Sequence, residues 1–194
     1  MSPVLLLALS LATFAERPSG PPALTIVLEF QGAHSNRTVS EMRREFETVM
    51  QATGLRFEWR MREDVAEQTF DNIVLVRFKG SCVLPPVGYL HEDRGPLAFT
   101  YSNGDTLLPF SQVMCDRVTS SVRSAMFGGD FERPDLLLGR ALGRVVAHEI
   151  VHILTHSGAH GKTGIEKTAL SGNLLIAPRL RLSEADLVRV KAAQ

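Results

Sequence analysis

The histidines of this chain are concentrated in one short segment. Four of the six lie between positions 148 and 160: His148, His152, His156 and His160. The first two frame the sequence His148-Glu149-Ile150-Val151-His152, an HExxH pattern. On a helix, residues four apart share a face and are separated by about 6 Å along the axis. Two imidazoles in this arrangement can bind one metal ion.

The glutamate inside the pattern indicates what such an ion would do. Glu149 lies on the neighbouring side of the helix, where its carboxylate can reach a metal-bound water rather than the metal. Zn²⁺ lowers the pKa of a bound water to about 7, so a nucleophile is available at neutral pH. Glu149 would act as general base and pass the proton to the leaving amine. We therefore predict His148 and His152 as zinc ligands and Glu149 as the catalytic residue.

The segment around the pattern is predicted to be a helix from about 135 to 157, with Gly158 as its stop. Apolar residues occupy nearly every side, and Arg140 and Arg144 form a narrow polar edge, so the helix is expected to be mostly buried. Buried histidines and a buried glutamate are costly unless they are paired or bind a metal. The composition of this helix therefore supports the metal interpretation.

Two glycines in the same helix, Gly139 and Gly143, lie four residues apart and hence on one face. Each costs about 1 kcal/mol relative to alanine in a helix interior. We expect them to permit close packing of the helix against a sheet.

The predicted elements follow the order strand, helix, strand, strand, strand and long helix, which indicates an α+β fold. A helical pattern begins at Ser40 and stops at Gly54, and Ser183 opens a final helix through a capping box with Asp186. Segment 110–118 is compatible with either a strand or the start of a helix. The predicted strands are 24–30, 55–61, 72–78 and 97–101.

At the HExxH helix the chain resembles the zincin metallopeptidases, specifically a small secreted bacterial type. The resemblance implies a zincin-like fold, in which a mixed β-sheet packs on a buried active-site helix. It also implies that an edge strand binds extended substrate, and 97–101 is the candidate for that strand.

The third metal ligand distinguishes the zincin subfamilies. Metzincins continue the motif as HExxHxxGxxH, whereas this chain has Thr155 at the glycine position and Gly158 at the position of the third histidine. A glycine after the helix allows the chain to turn back, so His160 is the preferred third ligand. The last methionine, Met126, precedes the motif, so the methionine turn of metzincins is absent and the chain diverges from that group.

Three other residues remain open as third ligands. Glu166 and Glu184 would correspond to the downstream glutamate that gluzincins use. His156 shares the helical face, but about 12 Å of rise separates it from His148, which disfavours three ligands from one straight helix.

The N-terminal residues are expected to direct export. Residues 1–15 resemble a secretory signal peptide, although the segment before their apolar core contains no Lys or Arg. Residues 16–22 are predicted to be a flexible entry, and residues 23–194 one catalytic domain that is secreted or periplasmic. Cys82 and Cys115 are the only cysteines; they form either one disulfide or two buried free thiols.

Charge and hydropathy exclude several classes of partner. Lys+Arg and Asp+Glu both number 21, so the formal net charge is zero and no nucleic-acid partner is predicted. The apolar run 3–14 is too short to cross a bilayer, so no membrane span is expected. A peptide or protein substrate is predicted, while oligomeric state and cleavage specificity are left undetermined.

Together these features predict a zinc-dependent peptidase that hydrolyses peptide bonds with a metal-activated water. Two alternatives stay open: a zinc hydrolase of a non-peptide amide, and a non-enzymatic degenerate zincin that acts as a binding module. A structural zinc site is closed by four protein ligands, whereas a catalytic one leaves a position for water. Glu149 favours the catalytic kind, because a structural site needs no carboxylate beside the metal.

Overall fold

The structure is a computed structural model that describes residues 23–85 and 95–193. A five-stranded, mostly parallel sheet packs with helices, which confirms the α+β prediction. The proposed signal peptide 1–15 and entry segment 16–22 lie outside the described residues.

The elements follow one another in a mixed order. Three short 3₁₀ turns (Gln51–Thr53, Arg62–Asp64 and Gly128–Glu132) connect them. The strands and helices are β1 (Leu24–Phe30), α1 (Asn36–Met50), β2 (Phe57–Met61), β3 (Ile73–Lys79), β4 (Ala98–Asn103), β5 (Thr106–Met114), α2 (Cys115–Ala125), α3 (Pro134–Thr155), α4 (Gly172–Ile176) and α5 (Glu184–Ala192).

The strands are arranged in the order β2-β1-β3-β5-β4. The first three pairs are parallel, and β4 runs antiparallel to β5. β4 therefore occupies an edge of the sheet, as expected for segment 97–101. Segment 110–118, which the sequence left open between strand and helix, contains the end of a strand and the start of a helix, since β5 ends at Met114 and α2 begins at Cys115.

Helix α3 packs closely on α1, and the two glycines make this approach possible. A Cβ at Gly143 would lie 2.5 Å from the carbonyl oxygen of Met42, and one at Gly139 would lie 2.7 Å from that of Thr38. The expectation that these glycines face the sheet is therefore wrong. The face of α3 that carries the two glycines lies against the backbone of α1, and this close contact leaves no room for a side chain at either position.

Arg144 lies inside the protein, so the prediction of a polar edge on α3 is wrong at this position. Its side chain is fully buried and lies 2.7 Å from the Glu45 carboxylate of α1. It also donates to the carbonyl oxygen of Leu174 at 2.6 Å. Because α4 supplies this carbonyl, one guanidinium joins α1, α3 and α4. Pairing and hydrogen bonding are what make the burial of such a charge tolerable.

Two helix ends differ from the sequence-based expectation. α1 begins four residues before Ser40, because the Ser35 hydroxyl caps it by accepting from the Thr38 amide at 3.0 Å. α3 ends at Thr155 rather than at Gly158, because His156 adopts a left-handed conformation with φ of 48°. At the C-terminus, the predicted capping box between Ser183 and Asp186 is confirmed.

Cys82 and Cys115 form a disulfide, with their Cα atoms 4.9 Å apart. The bond ties the segment after β3 to the start of α2, and the alternative of two free thiols is wrong. Across the described residues, no helix combines the length and the apolar character needed to cross a membrane.

Candidate metal centre

The second half of α3 carries the two histidines of the HExxH pattern. His152 is buried, and the His148 side chain is 12% exposed. Each Nδ1 atom lies against a backbone carbonyl oxygen, that of Ile165 at 2.8 Å for His148 and that of Ser157 at 2.7 Å for His152. A carbonyl oxygen only accepts hydrogen bonds, so each ring carries its proton on Nδ1. Both Nε2 atoms therefore keep a free lone pair.

These two lone pairs face one another. The Nε2 atoms of His148 and His152 are 3.0 Å apart. Burial lowers the pKa of His148 to about 4, against the opposing effect of the Ile165 carbonyl, and burial also lowers the pKa of His152. Both rings are thus neutral at pH 7, and the space between them suits a cation.

His160 completes the group from outside the helix. The chain reverses after α3 at His156, which has a left-handed conformation. The centroid of the His160 ring lies 5.2 Å from that of His148 and 4.8 Å from that of His152. The ligand nitrogens of the three histidines all lie within 4.8 Å of one another. Tetrahedral zinc with bonds of about 2.0 Å requires nitrogen separations of about 3.3 Å. His160 is exposed and would need only a small movement.

The other candidates for the third ligand are placed differently. His156 and Glu184 are exposed and lie outside the three-histidine group. Glu166 is fully buried, but its oxygens lie 3.5 Å from Nδ1 of His148 and 3.8 Å from Nδ1 of His152. It is therefore behind the rings, on the side opposite the Nε2 atoms.

Glu149 is held beside the group by an edge strand. Its side chain is buried, and Oε2 accepts a hydrogen bond of 2.7 Å from the hydroxyl of Thr100 in β4. The Thr100 hydroxyl also lies 2.9 Å from that of Ser111 in β5. Burial raises the pKa of Glu149 to about 7, and the Thr100 hydrogen bond opposes that rise. A carboxyl with a pKa near neutrality is suited to accept and return a proton.

A cavity of about 590 Å³ opens in front of these residues. Its walls come from β4, from α3 and from residues 167–170 after the third histidine. Glu149 and the three grouped histidines all contribute to its surface. The cavity thus gives a ligand access to the nitrogen atoms and to the carboxylate at once.

Sequence reasoning did not find every residue of this site. Thr100 was included only as part of a candidate edge strand, and nothing in its local pattern indicated contact with Glu149. Glu166 was considered only as a ligand, although its neighbour Ile165 provides the carbonyl that orients His148. A glutamate six residues after a candidate ligand is the signal that the sequence offers, but its burial and orientation depend on the fold.

Comparison with known proteins identifies no family for this chain. No family model matches the sequence, and no curated protein matches it.

Proposed function

We propose that this protein is a zinc-dependent peptidase. The observation that carries the proposal is the 3.0 Å separation of two Nε2 atoms whose protons reside on Nδ1. Two unshared lone pairs at this distance repel each other unless a cation lies between them. His160 supplies a third nitrogen donor, so His148, His152 and His160 are the proposed ligands.

Zinc fits this donor set better than Mg²⁺ or Ca²⁺ does. Hard cations such as Mg²⁺ and Ca²⁺ prefer oxygen ligands, whereas imidazole nitrogens suit Zn²⁺. Three protein ligands and one open position are typical of catalytic rather than structural zinc. Within the described residues the group contains three members, and the cavity lies on their open side.

Bound zinc would supply acidity to a coordinated water and polarise the carbonyl of the substrate. Glu149 accepts one proton from the attacking water as its oxygen bonds to the carbonyl carbon. The same carboxyl then delivers the proton to the amide nitrogen as the carbon–nitrogen bond breaks. Thr100 holds the carboxylate at the cavity wall during both transfers. The carbonyl oxygens of Ile165 and Ser157 keep both ligand rings in the tautomer that binds metal.

The edge position of β4 favours a peptide over a small amide as substrate. β4 pairs with β5 on one side, and no other strand of the described residues pairs with it. An extended peptide can add to such an edge through main-chain hydrogen bonds. Thr100 lies on this strand and contacts Glu149, so a peptide paired with β4 would pass the proposed general base.

The zincin resemblance and the export of the protein belong to the same proposal. A buried HExxH helix under a mixed sheet with an antiparallel edge strand is consistent with a zincin-like fold. The disulfide supports a secreted or periplasmic location, because such bonds persist in oxidising compartments. A short apolar leader at residues 1–15 would direct this export.

The decisive experiment compares the parent protein with Glu149→Gln. We expect both to bind one equivalent of zinc by elemental analysis, because Glu149 is not a ligand. Hydrolysis of casein should fall by about 10² to 10⁴ in the variant, the range typical of lost general-base catalysis. The exposed Glu184→Gln is the matched control and should retain full activity.

Four outcomes would contradict the proposal. Absence of stoichiometric zinc in the parent would remove the metal centre. Equal casein hydrolysis by parent and Glu149→Gln would remove the role of Glu149. Cleavage of small non-peptide amides with no cleavage of casein would favour the alternative hydrolase, and zinc binding without any hydrolysis would favour a binding module.

A further inference from the structure

Glu166 is an ionisable residue that has no role in the proposed reaction. It is fully buried, and within the described residues neither carboxylate oxygen has a hydrogen-bond partner. An unpaired buried carboxylate is among the most costly groups in a protein. Its presence therefore requires an explanation.

The backbone around Glu166 is fixed firmly, so the side chain is placed with little freedom. The carbonyl oxygen of Glu166 accepts from the Gly161 amide at 2.7 Å, and the Ile165 amide donates to the carbonyl of Arg181 at 3.1 Å. The Ile165 carbonyl in turn accepts from His148 Nδ1. The segment that follows His160 thus carries the carboxylate beneath the rings of α3.

Among the described residues, and apart from the imidazoles, Arg189 of α5 is the only cationic side chain within 4 Å of the Glu166 carboxylate. One guanidinium nitrogen of Arg189 lies 3.8 Å from Oε2 of Glu166. The same nitrogen donates to the buried Asp186 carboxylate at 2.7 Å. Asp186 is therefore the nearer partner of the guanidinium, and an ionised Glu166 would have no cation of its own at hydrogen-bond distance in the described part of the chain.

A divalent ion in the three-histidine group would supply the missing charge. Three neutral imidazoles and one such ion carry a charge of +2, which Glu149 on the cavity side reduces to +1. The Glu166 carboxylate lies 3.5 Å from Nδ1 of His148 and 3.8 Å from Nδ1 of His152. Its negative charge would reduce the net charge of the site to zero. In a buried environment this attraction is weakly screened.

We infer that Glu166 is a positioning residue of the metal centre, which lies behind His148 and His152 and compensates the charge of the bound ion. The inference rests on the metal site of the proposed function. Carboxylates behind metal-bound histidines typically contribute 10- to 100-fold to metal affinity. In the absence of metal the same buried carboxylate destabilises the fold. It therefore raises metal affinity but lowers the stability of the metal-free protein.

The test compares parent, Glu166→Gln, Glu166→Asp and the exposed control Glu184→Gln. Zinc affinity is measured by competition with a chromogenic chelator, and metal-free stability by urea denaturation in EDTA. We expect Glu166→Gln to bind zinc 10- to 100-fold more weakly while its metal-free form is at least as stable as the parent. Glu166→Asp keeps the charge and should fall between the two in affinity, and Glu184→Gln should match the parent.

Each other result has a definite meaning. Unchanged zinc affinity in Glu166→Gln, with a parent that binds zinc, overturns this inference and leaves the proposed function intact. A variant that loses both zinc affinity and metal-free stability, or that fails to fold in EDTA, shows Glu166 to be merely structural and also overturns it. A parent that binds no zinc overturns the proposed function and this inference together.

Discussion

The stability of the metal-free protein should decrease as the pH is raised from 6 to 8. Burial, with the nearby Asp186 as a second cause, raises the pKa of Glu166 to about 8, and burial raises the pKa of Glu149 to about 7. The unfolded chain would ionise both carboxyls near their ordinary value of 4.5. Between these pH values the folded state holds more protons, so deprotonation favours unfolding.

The magnitude follows from the sizes of the pKa shifts. One unit of pKa corresponds to about 1.4 kcal/mol, so the interval from pH 6 to 8 costs about 2 kcal/mol at Glu166 and about 1 kcal/mol at Glu149. His148 acts in the opposite direction, because its pKa of about 4 lies below that of an unfolded histidine. This offsets about 1 kcal/mol, and the lowered pKa of His152 adds to the offset. We expect a net loss of about 1 to 2 kcal/mol.

The assay is urea denaturation of the EDTA-treated protein, with the disulfide intact, followed by fluorescence of Trp59, the single tryptophan. Glu166→Gln removes the larger carboxyl contribution, so its free energy of unfolding should change little between pH 6 and 8. A parent protein that is equally stable or more stable at pH 8 would refute the reasoning. The same pH dependence in Glu166→Gln as in the parent would show that Glu166 is not its source.

The packing of α3 on α1 leads to two further predictions. Gly143→Val would place a side chain 2.5 Å from helix backbone and should lower the melting temperature strongly, whereas Gly158→Val, with open space around its Cβ position, should change it little. Glu45→Ala leaves the buried Arg144 without its carboxylate and should reduce the free energy of unfolding by about 3–5 kcal/mol in urea titrations. The exposed Glu47→Ala on the same helix should cost less than about 1 kcal/mol, and equal losses in the two variants would contradict the buried-pair argument.

The sequence by itself determined the features that depend on residues close together in the chain. A run of β-branched and apolar residues located β1, the long helical pattern located most of α3, and the Ser183 capping box located the start of α5. The spacing of His148 and His152 placed both on one helical face. These features are local because helix and strand periods and capping contacts involve residues only a few positions apart.

Only the tertiary structure decided what lies opposite each of these faces. The partner of the α3 glycines, the burial of Arg144 and the hydrogen bond from Thr100 to Glu149 join residues from 49 to about 100 positions apart. The placement of His160 in front of the rings and Glu166 behind them depends on the left-handed turn at His156 and on the backbone contacts of residues 161–166. From the residue types alone, either His160 or Glu166 could bind a metal. Long-range packing decides which atoms of the two imidazoles each of these residues meets.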